Sequence, residues 1–73
     1  MEFVNLQHGD RVELHPATDL WMMGARFAYI TGRRAPGAGT FALVRVRPDK
    51  ALYHGRAARR SYWMSCENIL RKA

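Results

Sequence analysis

Four side chains of the kind that bind zinc or attack an electrophile are scattered along the chain: His8, His15, His54 and Cys66. Structural zinc sites draw on local pairs such as C-x-x-C or H-x-x-x-H, and none of these four is so paired. The histidines read as solvated side chains and Cys66 as a small buried apolar residue. A reactive thiol needs a neighbour that lowers its pKa, and the sequence nominates none. The carboxylates Glu2, Asp10, Glu13, Asp19, Asp49 and Glu67 include no pair spaced for acid–base work. Asp10, directly after Gly9, suits a turn whose amides it bonds. No G-x-x-x-x-G-K-[ST] or G-x-G-x-x-G is present, and PGAGT at residues 36–40 reads as a flexible loop. The expectation is a non-enzymatic protein with no catalytic residue, metal or cofactor.

The remaining chemistry is basic and aromatic. The net charge is +6, but residues 1–25 carry −3 and residues 26–60 carry +8, and ten of the twelve cations are arginine. Arginine forms forked hydrogen bonds to phosphate and stacks on flat rings better than lysine does. Such an imbalance fits a solvated basic surface, a polyanion or an acidic protein partner. For nucleic acid, RNA or DNA, the phosphate contacts fall to Arg33, Arg34, Arg45, Arg47, Arg59 and Arg60, with Tyr62 and Trp63 stacking on bases. The competing role for either ring is the core. A second reading is a protein partner or self-association through Trp21, Met22, Met23, Phe41 and Leu43, because an apolar loop tip either folds back or docks.

These residues must be positioned by short strands. Residues 11–15 alternate strictly, with Val12 and Leu14 on the core face. Pro16 ends that strand, and residues 17–23 form a loop with an apolar far end. Residues 25–31 form a second strand, in which either Ala28 and Ile30 or Phe27 and Tyr29 point inward, since a slip of one residue exchanges the faces. Residues 32–40 form a glycine-rich hairpin loop with Arg33 and Arg34 at its base. Residues 41–47 are the strongest strand, with Ala42, Val44 and Val46 on one face and Phe41, Leu43, Arg45 and Arg47 on the other. Residues 60–64 form a fourth strand, residues 66–70 a single helical turn, and residues 70–72 a last short strand. Short strands joined by glycine- and proline-rich turns imply a sandwich or barrel.

The stretch GDRVELHP at residues 9–16, followed by WMMGARFAYI at residues 21–30, resembles the start of KOW-type and other SH3-like barrels. Those open with Gly-Asp-x-Val-x-Val, a loop, then Gly-x-x-x-Gly-x-Val; here Ala28 replaces the second glycine and Ile30 the valine. The end, SYWMSCENILRK, resembles the last strand, helical turn and closing strand of that fold. The resemblance implies an all-β single domain over residues 1–73, a five-stranded SH3-like barrel with one short helical turn near its C-terminus. It also favours Ala28 and Ile30 inward. KOW-type domains usually bind RNA or ribosomal and transcription partners, so the resemblance implies a small nucleic-acid-binding module. Short proteins of phages and mobile elements begin in the same way, which implies, in the alternative, a protein-interaction or oligomeric accessory module of such an element. A weaker resemblance is to the plasmid-borne type II dihydrofolate reductases, which share Gly-Asp-Arg-Val. Their active-site strand Val-Gln-Ile-Tyr is replaced here by Ser61-Tyr62-Trp63-Met64, so their activity is not expected.

A 73-residue domain has a thin margin of stability. The single cysteine excludes an intrachain disulfide, which leaves self-association as one means of support. No apolar run approaches the roughly 18 residues of a membrane span. The first residues carry neither a basic nor an apolar signal region, so a reducing, cytoplasmic setting is expected.

Overall fold

The fold follows from a computed structural model that describes residues 1–49 and 60–73. Five strands, β1 (Arg11–Leu14), β2 (Phe27–Arg34), β3 (Leu43–Pro48), β4 (Tyr62–Ser65) and β5 (Ile69–Lys72), form one antiparallel sheet in the order β4-β3-β2-β1-β5. Among the described residues β4 and β5 are its two edges, so the chain is mostly β and the closed barrel is not part of the observed sheet.

The period-two pattern decides which face is buried. Val12 and Leu14 of β1, Ala28 and Ile30 of β2, Val44 and Val46 of β3 and Ile69 of β5 all turn inward. The pairing of Val12 with Ala28 and of Ile30 with Val46 stacks them across the sheet. Leu6, Leu20, Ala25 and Cys66 complete this core, with Phe3, Trp21, Tyr62 and Met64 packed partly against it. The inward reading of Ala28 and Ile30 is thereby shown.

Among the described residues three short helical turns accompany the strands, where one was expected. A 3-10 turn at Phe3–Asn5 leads Leu6 into the core. Another, Cys66–Asn68, joins β4 to β5 and is capped by the Ser65 hydroxyl, which accepts from the Glu67 N–H at 3.3 Å. The third corrects the expected loop at residues 17–23, which holds a helix, α1 (Asp19–Met22). The Thr18 hydroxyl starts it by accepting from the Trp21 N–H at 3.2 Å, as N-cap residues do. Gly24 stops it with a φ of 105°, placing its own N–H on the Trp21 carbonyl and that of Ala25 on the Leu20 carbonyl. This is the paired closure that a left-handed glycine allows. The turn buries Leu20 and leaves Met22 exposed.

Strand β2 also outruns its expected end. Arg33 and Arg34 are strand residues paired with Val44 and Leu43, rather than the base of a loop. A β-bulge makes this possible. Ile30 pairs with Val46 and Gly32 with Arg45, so Thr31 is the extra residue. Conversely, β3 starts at Leu43, which leaves Phe41 ahead of the strand.

Candidate nucleic-acid interface

Pairing across an antiparallel sheet places partners on the same face, so the register assembles the outer surface. Arg11 pairs with Tyr29 and Tyr29 with Arg47. In the next rung Gly32 pairs with Arg45 and Arg45 with Trp63. Beyond it Arg34 pairs with Leu43 and Leu43 with Ser65. The outer face therefore carries Arg34, Arg45 and Arg47 together with Tyr29 and Trp63. Trp63 is 46% exposed and Tyr29 36%.

Arg45 is held in place. Gly32 offers no side chain opposite it, and a β-carbon there would lie 3.1 Å from the Arg45 Nε. The arginine lies across that gap. Its Nε donates to the Thr31 hydroxyl at 3.2 Å and an Nη donates to the Thr31 carbonyl at 2.8 Å. Thr31 in turn reaches the Ser61 hydroxyl at 3.2 Å. The Arg45 and Arg34 guanidinium carbons stand 5.7 and 5.2 Å from the centre of the Trp63 ring, within range of cation–π attraction. Two of the five guanidinium N–H groups of Arg45 are committed to Thr31, leaving three for an anion.

The bulge separates two neighbours in sequence. Arg33, paired with Val44, shares the inner face rather than that of Arg34. Its guanidinium carbon lies 4.2 Å from the centre of the Phe3 ring, and an Nη donates to the Phe3 carbonyl at 3.1 Å. Tyr62 likewise belongs to the inner face, opposite Val46, and packs on the core. Arg60 is exposed just ahead of β4. Arg59 and His54 lie outside the described residues. Of the residues expected to meet nucleic acid, Arg34, Arg45, Arg47 and Trp63 are thus brought together, while Arg33 and Tyr62 point elsewhere. Tyr29 joins them, and its signal was the alternation of residues 25–31 once Ala28 is set inward.

Charge pairing sharpens the asymmetry. Arg11 binds Asp49 at 2.8 Å, Arg71 binds Glu13 at 3.2 Å and Lys72 binds Asp10 at 3.2 Å. Among the described residues Arg34, Arg45 and Arg47 have no carboxylate partner. The β1–β5 side is therefore charge-neutralised, and the β2–β3–β4 side is cationic.

The apolar residues expected to dock a protein sit on different elements. Trp21 is half-buried against the core beneath Arg26, whose guanidinium carbon is 5.1 Å from a Trp21 ring centre. Met22 is 74% exposed and Met23 just exposed at the end of α1. Phe41 is 83% exposed beside the first 3-10 turn, and Leu43 is half-buried on the outer face. A groove of about 460 Å³ runs between α1 and β4, lined by Leu20, Met23, Tyr62, Trp63, Met64 and Asn68 among others.

Cys66 is buried, and burial pushes its thiol pKa up. Its Sγ lies 3.8 Å from the Ala42 carbonyl. It is a core side chain rather than a poised nucleophile. Among the described residues no three His, Cys, Asp or Glu side chains gather to hold a metal ion, and no helix is long and apolar enough to cross a membrane. Comparison with protein-family models, with curated proteins and with solved structures gives no match.

Proposed function

We propose that this chain is a small non-enzymatic nucleic-acid-binding module of the SH3-like type, working through the outer face of strands β2, β3 and β4. The observation that carries the reading is the approach of Arg34 and Arg45 to the Trp63 ring, with Arg47 on the same face and, among the described residues, no carboxylate paired with any of the three arginines. Guanidinium groups neutralise phosphates, and an exposed ring adds sequence-tolerant stacking. The 3-10 turn between β4 and β5, the two edge strands, supports the barrel-type reading. The cytoplasm fits a partner of this kind.

The test is a titration of labelled mixed-sequence DNA and RNA across a salt series. Micromolar binding at about 50 mM salt is expected, weakening steeply as salt rises. Absence of binding to both at that salt overturns the reading.

A second reading, an interaction or oligomeric accessory module of a phage or mobile element, is favoured by the exposure of Phe41 and Met22. Apolar docking is insensitive to salt, so light scattering across the same series separates the two. Self-association that persists at high salt, without nucleic-acid binding, supports the second reading.

A further inference from the structure

Resting on the nucleic-acid reading, we infer that the site takes a single strand rather than a duplex, seating one phosphate at Arg45 and one unpaired base on Trp63. Two features of the geometry combine. Arg45 is already ordered by Thr31, whose hydroxyl also contacts that of Ser61, so a guanidinium and two hydroxyls converge on one spot of the outer face. Little side-chain freedom remains to be given up there on binding an anion. Trp63 stands directly opposite Arg45 on the edge strand and serves two surroundings at once. The arginines approach its ring from β2 and β3, while the groove along α1 reaches it from the other side.

That groove decides the class of ligand. Its lining includes Leu20, Met23, Tyr62, Trp63 and Met64, with Thr18, Asp19 and Asn68 as polar groups, so that a neutral base suits it better than a phosphate does. A planar base with its edge groups matches such walls. In a duplex the base faces are covered by their own stack and only phosphates and groove edges are presented. A ring lining such a groove is therefore stacked on only by a base that is splayed out, the mode by which unpaired strands are bound. Neither contact uses a 2′-hydroxyl, so single-stranded DNA and RNA are equivalent ligands.

The experiment measures anisotropy of labelled dT12, rU12 and a 12-base-pair mixed duplex at about 50 mM salt, with tryptophan emission followed in a Trp21→Phe background that leaves Trp63 as the reporter. Both single strands are expected to bind about tenfold tighter than the duplex and to quench Trp63. Trp63→Leu is expected to cost about tenfold on single strands and under twofold on the duplex, whereas Trp63→Phe retains single-strand binding within about threefold. Circular dichroism of each variant shows whether the sheet persists. If Trp63→Leu unfolds, the Phe variant and the quench carry the test. Equal binding of single strand and duplex, or single-strand binding without quench, overturns the single-strand seat while leaving the nucleic-acid reading intact. No binding of any of the three overturns both.

Discussion

Arg45 lies across Gly32, filling the place that a side chain on the neighbouring strand would otherwise occupy, with its Nε 3.1 Å from where a β-carbon would stand. Gly32 is thus required by its neighbour's side chain and not by its own backbone, since its φ is not among the positive values. Gly32→Ala is expected to fold but with crowding, because the added β-carbon would stand 3.1 Å from the Arg45 Nε, which can swing away, and 3.2 Å from the Arg45 Cβ, which can move only with its strand. The gain from a stiffer unfolded chain, about 0.4–1 kcal/mol, offsets part of the crowding. Denaturant midpoints should place the variant within about 1 kcal/mol of the parent. Displaced from Thr31, Arg45 should bind oligonucleotide severalfold more weakly. A variant that binds unchanged would show that the arrangement of Arg45 does not matter.

Leu14 tests the core. It is fully buried, pairs with Ile69 across the β1–β5 boundary and belongs to the core cluster beneath the sheet. Leu14→Ala is expected to cost about 2–5 kcal/mol. A domain of this size has only several kcal/mol in total, at roughly 0.05–0.15 kcal/mol per residue. Thermal melting should show a largely unfolded variant at 37 °C. Leu70→Ala, on the exposed side of β5, should melt within a few degrees of the parent.

Asp10 ties the turn ahead of β1 to the last strand and sets a pH dependence. Its carboxylate accepts the Gln7 N–H at 2.8 Å and pairs with Lys72 at 3.2 Å. The Gln7 hydrogen bond chiefly, helped by Lys72, holds its pKa below the ordinary value of 3.8 against the opposing effect of burial. A carboxylate with a lowered folded pKa stabilises fully above its unfolded value and loses that contribution as pH falls through the folded one. Asp10→Asn should therefore be less stable than the parent at pH 7. The gap should begin to narrow as pH falls past about 4 and close only below the lowered folded pKa, where the parent's carboxylate is neutral as well. Urea midpoints at pH 7 and pH 2.5 check this, and a gap of the same size at both would assign the effect to packing rather than charge.

Much of this was legible in the chain because alternation is a local signal. Val12, Leu14, Val44 and Val46 declare their face by spacing alone, and all four are buried. Ala28 and Ile30 needed outside support, because Phe27 and Tyr29 between them are equally apolar and periodicity cannot choose. The opposition of Arg45 to Trp63 required the pairing register of β3 and β4, which no single strand contains. The bulge at Thr31 was the largest hidden feature. One unpaired residue reverses the faces of everything after it, so Arg33 and Arg34 cannot be assigned by counting from Ile30 as though the ladder were regular. The helical turn α1 was written in Thr18 and Gly24, a cap before it and a stop after it, but the apolar Trp21-Met22-Met23 run between them masks it as a loop tip.

The bulge supplies the sharpest test of the interface, because it sets adjacent arginines to different tasks. Arg34, Arg45 and Arg47 share the outer face, whereas Arg33 is spent on the Phe3 ring and carbonyl at the inner face. Each phosphate-binding charge removed should reduce the slope of log affinity against log salt by about 0.7 on single strands and 0.9 on duplex. Arg45→Ala and Arg47→Ala together should therefore flatten the single-strand slope by about 1.4. Arg33→Ala removes the same charge from the same segment and should leave the slope unchanged, while lowering the melting temperature because the Phe3 ring and carbonyl are left without their guanidinium. Total charge alone predicts equal effects per arginine at every position. A difference between Arg33→Ala and Arg34→Ala would therefore arise from the face each occupies, and equal slopes for the two would reject the outer face of the sheet as the interface.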